Sequence, residues 1–210
     1  MKRILVADDH AIVRKGLKET LAEELGPLRF GEAGNNQQVL DMVWKEEWDL
    51  VMLDINMEQR SGLEVLQEIR KARPKLPVLI LSMYPVEEFG VRALKLGAAG
   101  YISKQSAPEE LVAAVRSVLG GGRYISAALA DRLAADAQRG SEKPLHQTLS
   151  TREYQVMLMI ARGKSLKEIA AELSLSAKTV GTYHTRILEK MALNNDIQIT
   201  RYALLNKLVD

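Results

Sequence analysis

The chain contains no cysteine. That excludes a disulfide framework and a thiolate metal site. No stretch approaches the roughly 18 consecutive apolar residues of a membrane-spanning helix. Lys2-Arg3-Ile4-Leu5-Val6 opens a strand pattern at once rather than a signal peptide, so a cytoplasmic protein without a membrane partner is expected. There is no internal repeat and no low-complexity tract. Net charge is also scarce: 29 basic and 27 acidic side chains leave +2. It is unevenly placed. Residues 1–120 carry 16 basic and 18 acidic groups, and residues 141–210 carry 10 and 7. A mildly basic C-terminal part permits nucleic-acid binding without demonstrating it. What remains is ordinary globular composition, 47% hydrophobic and 27% charged, over 210 residues. One large domain or two small ones fit that length.

The first 120 residues are organised around Leu50-Val51-Met52-Leu53-Asp54. An unbroken apolar run reads as a strand buried on both faces, because a surface strand alternates polar and apolar. It ends in a carboxylate, and open parallel sheets build their sites at the carboxyl ends of strands. Taken alone, Asp54 is more simply a loop acid capping the next helix. Its companions change the balance. Ile4-Leu5-Val6-Ala7 ends in Asp8-Asp9, Val78-Leu79-Ile80-Leu81 ends in Ser82, and Tyr101-Ile102-Ser103 ends in Lys104. Clustered acids are costly unless a cation neutralises them, and oxygen ligands suit a hard cation, Mg²⁺. Acids for a metal, a nucleophilic acid, a hydroxyl and an ammonium are the parts of phosphoryl transfer.

Strands at about 3–7, 28–33, 50–54, 77–82 and 99–102 alternate with helices at about 11–25, 36–47, 62–72, 86–96 and 107–119. That pattern predicts a doubly wound, five-stranded parallel sheet. The first helix shows Ile12, Leu17, Leu21 and Leu25 as one stripe, and Ser106 is placed to cap the fifth, with Pro108 in its first turn. Gly120-Gly121-Gly122 breaks the pattern. A linker is expected at 121–147, with a short helix at about 126–133.

The order Asp-Asp, Asp, Ser, Lys, with Gly97-Ala98-Ala99-Gly100-Tyr101-Ile102-Ser103-Lys104 and Ala107-Pro108-Glu109-Glu110-Leu111, resembles the receiver domain of two-component response regulators over residues 1–120. The resemblance implies that Asp54 accepts a phosphoryl group from a sensor histidine kinase. It implies Mg²⁺ on Asp9, Asp54 and the Asn56 carbonyl, with Asp8 assisting. It implies that Ser82 and Lys104 hold phosphoryl oxygens, and that Tyr101 swings inward when Ser82 moves. One departure is visible. The family usually has Met-Pro-Gly where this chain has Met57-Glu58-Gln59, which places an acid near an acidic site.

Residues 148–210 read as four helices. Ser150 and Glu153 have capping-box spacing. Two helices joined by Ser174-Leu175-Ser176, with Ser176 as N-cap of the second, form a helix-turn-helix pattern, although spacing alone favours a plain helical bundle. Leu149-Ser150-Thr151-Arg152-Glu153, Gly163-Lys164-Ser165-Leu166-Lys167-Glu168-Ile169-Ala170 and Leu175-Ser176-Ala177-Lys178-Thr179-Val180 resemble the LuxR-type DNA-binding domain. The whole chain thus looks like a NarL/FixJ-class response regulator, α/β plus all-α. The DNA-binding candidates are Lys178, Thr179, Thr182, Thr185 and Arg186; His184 falls on the apolar face and reads as core. The family often has lysine where this chain has Gly181. Promoter DNA, the kinase, a second copy of the chain and RNA polymerase are the implied partners. A phosphatase or mutase with an aspartyl nucleophile is the rival reading, and a regulator working without phosphorylation is the third.

Overall fold

A computed structural model describes residues 1–57, 61–138 and 144–209. Glu58 and Gln59, where the chain departs from the family pattern, and residues 139–143 of the expected linker lie outside them. The chain divides into two compact units, Met1–Ala135 and Asp136–Asp210.

In the first unit, strands β1 (Lys2–Ala7), β2 (Leu28–Ala33), β3 (Leu50–Asp54), β4 (Val78–Ser82) and β5 (Gly100–Ser103) form one parallel sheet in the order β2-β1-β3-β4-β5. β3 and β4 are buried along their whole length, which explains their unbroken apolar sequence. Helices α1 (Ala11–Leu25) and α5 (Pro108–Leu119) pack together, as do α2 (Asn36–Lys45) and α3 (Gly62–Ala72), while α4 (Val86–Lys95) packs by β5. The register pairs Ala7 with Leu53, Asp54 with Leu81 and Ser82 with Ser103. Four strand ends therefore finish at one level, and Asp8, Asp54, Ser82 and Lys104 emerge side by side.

Two local expectations need correction. Ile12 is exposed; Leu17, Leu21 and Leu25 face the core, and Val13, one position on, keeps the i, i+4 spacing with Leu17. Ser106 does not cap α5. Ala107 holds the N-cap position without a side-chain bond, and Pro108 starts the helix.

Beyond α5 the chain runs along β5. The Tyr124 N–H donates to the Ala99 carbonyl at 2.9 Å, and its hydroxyl donates to Glu110 at 2.9 Å. Helix α6 (Ala127–Gln138) follows, and its Leu129 meets α4 at Gly90. Fully buried Leu129 fills the notch left by Gly90, where a Cβ would come 2.8 Å from Leu129 Cδ1.

The second unit holds a 3₁₀ turn (Leu145–Thr148) and helices α7 (Thr151–Ala161), α8 (Leu166–Glu172), α9 (Ala177–Met191) and α10 (Asp196–Leu205). Both α7 and α8 start with capping boxes, Ser150 with Glu153 and Ser165 with Glu168. Ser176 caps α9 by accepting from Thr179 N–H at 3.1 Å. α9 and α10 pack on α7, and Val180, Ile187, Met191, Ile199 and Ala203 are buried. Among the described residues no helix is long and apolar enough to cross a membrane.

Candidate phosphoacceptor site and nucleic-acid interface

The β3–α3 turn holds Asp54 in place through its backbone. Asp54 Oδ1 accepts the Asn56 N–H at 3.1 Å. The Gly62 N–H donates to the Ile55 carbonyl at 2.9 Å, and a Cβ on Gly62 would fall 2.1 Å from the Asp54 carbonyl oxygen. Only glycine lets α3 begin so close to the strand end. Asp8 and Ser82 are buried beside Asp54. The Lys104 ammonium reaches both acids, 2.5 Å from Asp8 Oδ2 and 2.8 Å from Asp54 Oδ2.

Burial pushes the Asp54 carboxyl above the ordinary aspartate range. The Lys104 charge and hydrogen bond and the Asn56 N–H oppose this, and the Asp8 charge adds to it. Burial alone would depress Lys104, but the Asp54 charge and the hydrogen bonds it donates to both carboxylates overcome that and hold it above the ordinary lysine value. Two carboxylates face one ammonium at hydrogen-bond distance. Lys104 stays cationic, and the site still has more acid than its one ammonium can neutralise.

Asp9 stands at the mouth, and His10 Nδ1 lies 2.6 Å from its Oδ1. Ligand atoms of Asp8, Asp9 and His10 lie within 4.8 Å of one another. Carboxylate oxygens in excess of the cation present fit a hard divalent ion. Nothing in the sequence pattern singles out His10 beyond its place after the acid pair. Ser82 Oγ accepts the Tyr84 N–H at 3.0 Å. Tyr101 is already inward, its ring fully buried and its hydroxyl donating to the Tyr84 carbonyl at 2.8 Å. Burial pushes its phenol well above the usual value, against a hydrogen bond from Ser82. Tyr84 stacks near Phe89, centroids 5.1 Å apart, so the hydroxyl of Ser82 connects through Tyr84 to α4.

In the second unit, α8, the turn after it and α9 form the helix-turn-helix. Lys178, Thr182, Thr185, Arg186 and Glu189 are exposed on α9. Thr179 is not on that face; it is half-buried, with its hydroxyl 2.8 Å from Ser176 Oγ at the cap. His184 is not core. It is half-buried, and its Nε2 lies 2.6 Å from Asp196 Oδ1 at the start of α10. The i, i+4 apolar stripe ran through His184, but a polar ring at the edge of a helix pair finds a carboxylate instead.

Comparison with known proteins supports both halves of this description. Residues 4–116 match the response regulator receiver domain, and residues 147–203 match the bacterial regulatory proteins of the luxR family. The chain is a response regulator with a LuxR-type domain. It is 34% identical over 206 residues to the response regulator UvrY of Escherichia coli K12, covering 97% of this chain and 94% of that one. It is 35% identical over 211 residues to the response regulator GacA of Pseudomonas aeruginosa, covering 100% and 99%. In fold it is similar to RcsB from Salmonella enterica serovar Typhimurium, solved on the rprA promoter with a phosphomimetic. The TM-score is 0.63 and identity 24%, over 96% of this chain and 97% of that one. Both response-regulator halves thus occur in the order read from the sequence.

Proposed function

We propose that this response regulator takes a phosphoryl group on Asp54 from a sensor kinase histidine and thereby controls its binding to promoter DNA. The observation that carries the reading is the convergence of Asp54, Asp8, Ser82 and Lys104 at one end of the sheet, with the Lys104 ammonium 2.8 Å from Asp54. In the transfer, an Asp54 carboxylate oxygen forms the new O–P bond. The N–P bond of the phosphohistidine breaks, and the histidine nitrogen leaves with the electron pair. Asp9, Asp54 and the Asn56 carbonyl would hold Mg²⁺, with Asp8 behind them. The ion supplies positive charge at the transferring oxygens. Lys104 moves from its two carboxylates to a phosphoryl oxygen, which draws it further onto Asp54. Ser82 turns its hydroxyl from the Tyr84 N–H to another phosphoryl oxygen, freeing the backbone that holds the Tyr101 hydroxyl.

For DNA, Lys178 and the N–H groups at the start of α9 meet phosphate, and Arg186 either phosphate or base. The chain acts as a dimer, with RNA polymerase as a further candidate partner. Ile197, Leu204 and Leu205 are exposed on α10 and suit a two-fold contact. Leu208 is buried in the helical unit and takes no part in that surface.

The test is intact-mass measurement of the chain after treatment with a small phosphodonor and Mg²⁺. A stable, metal-dependent adduct on the wild type and none on Asp54→Asn is the expected result. An adduct of equal stoichiometry on both places the acceptor elsewhere. Steady turnover of the donor with no adduct favours the phosphatase reading.

A further inference from the structure

If α9 reads DNA, as proposed above, its own hydrogen bonds indicate what it reads. The two threonines on its exposed face donate their hydroxyl protons inward. Thr182 Oγ1 donates to the Lys178 carbonyl at 3.0 Å, and Thr185 Oγ1 to the Gly181 carbonyl at 3.1 Å. A hydroxyl has one proton to give. With that proton on the backbone, the γ-methyl becomes the outward group of each side chain, beside an oxygen that can only accept. Gly181 precedes Thr182 by one residue and Thr185 by one helical turn, and a Cβ there would meet nothing within 4 Å. No packing demand explains a glycine at that position, which costs about 1 kcal/mol in a helix interior. The middle of the face is therefore small, apolar and without a donor. The cationic donors stand at either side, in Lys178 and Arg186.

Base edges in the major groove sort sharply against such a surface. Guanine presents two acceptors, which need donors. Thymine alone presents a methyl group. We propose that Thr182 and Thr185 read thymine methyls, that the centre of each half-site is A·T-rich for this reason, and that Gly181 keeps side-chain atoms out of the gap so that the methyls touch. The hydroxyls hold the methyls in position and contribute no base contact.

The experiment uses the full chain treated with phosphodonor and a random duplex library, from which a bound sequence is selected. Each thymine in that duplex is then replaced by deoxyuridine, which removes the methyl and nothing else. One or two positions per half-site should lose affinity about fourfold, the effect of one buried carbon group. Thr182→Ser and Thr185→Ser keep the hydroxyl and should abolish that difference, binding thymine and uracil duplexes alike. Thr185→Val keeps the methyl and should preserve it. Uracil without effect at every position overturns the inference while leaving DNA binding intact. So does a valine variant that loses the preference while the serine variants keep it. A library that yields no enriched duplex overturns the reading of α9 itself, and this inference with it.

Discussion

Lys104 Nζ lies 2.8 Å from Asp54 Oδ2, and burial still makes that carboxyl harder to ionise than one in water. The folded value lies above the unfolded one. Its favourable contribution is therefore present below the ordinary aspartate pKa and is lost as pH rises through the folded value. At neutral pH the charge on Asp54 opposes folding. Asp54→Asn removes it and leaves Lys104 with Asp8 at 2.5 Å. The variant should melt higher than wild type without divalent ions. Mg²⁺ should raise the wild type more than the variant. A lower melting temperature for Asp54→Asn contradicts this view of the pocket.

Gly62→Ala tests the turn that carries the acid. Its Cβ would meet backbone, not a flexible side chain, 2.1 Å away. The strand end or the start of α3 must move, at roughly 1–3 kcal/mol or more. Thermal melting should show that loss, and the initial rate of phosphodonor labelling should fall with it. Unchanged labelling would show that Asp54 does not depend on this close approach.

Glu153 supplies a pH dependence in the second unit. Burial alone would raise its pKa. The Lys190 ammonium at 2.6 Å and the hydrogen bonds from Ser150 outweigh that and hold it below the ordinary 4.5. A value lower in the folded state means stability that is complete above pH 4.5 and is lost as pH falls through and below it. Chemical melts of the chain at stepped pH should show the second unit weakening there. Glu153→Gln should lose on the order of 1–2 kcal/mol at neutral pH and show a flatter acid profile. Parallel profiles for the two proteins would remove Glu153 as the cause.

The contact between Leu129 and Gly90 should be measurable by hydrogen exchange. Leu129→Ala empties the notch, and Gly90→Val fills it from the α4 side. Either change should raise amide exchange within 127–135 by about tenfold or more, given the ~2 kcal/mol or more of a buried leucine truncation. Exchange in α1 should stay as it is. Protection of α6 equal to wild type in both variants would mean that other contacts hold it.

The strands were legible because β3 and β4 are buried on both faces and carry nothing but apolar residues up to the functional one. Helix starts were legible where a side chain caps them, as at Ser150 and Ser176. Other features depend on neighbours distant in sequence. Ile12 and Val13 are both apolar, and only the sheet beneath α1 decides which faces inward. His184 fits an apolar stripe until Asp196 is seen opposite it. Tyr101 could be placed at a strand end, but its inward ring depends on a carbonyl of Tyr84. The Leu129–Gly90 notch joins residues 39 positions apart, with no local signal in either helix.

Control of DNA binding by phosphorylation at Asp54 is tested by the affinity of the full chain for its selected duplex, measured with and without phosphodonor and Mg²⁺, in wild type and Asp54→Asn. Phosphorylation should raise the wild-type affinity clearly and leave Asp54→Asn unchanged. An equal gain in both proteins, or an identical wild-type affinity under the two conditions, would contradict it.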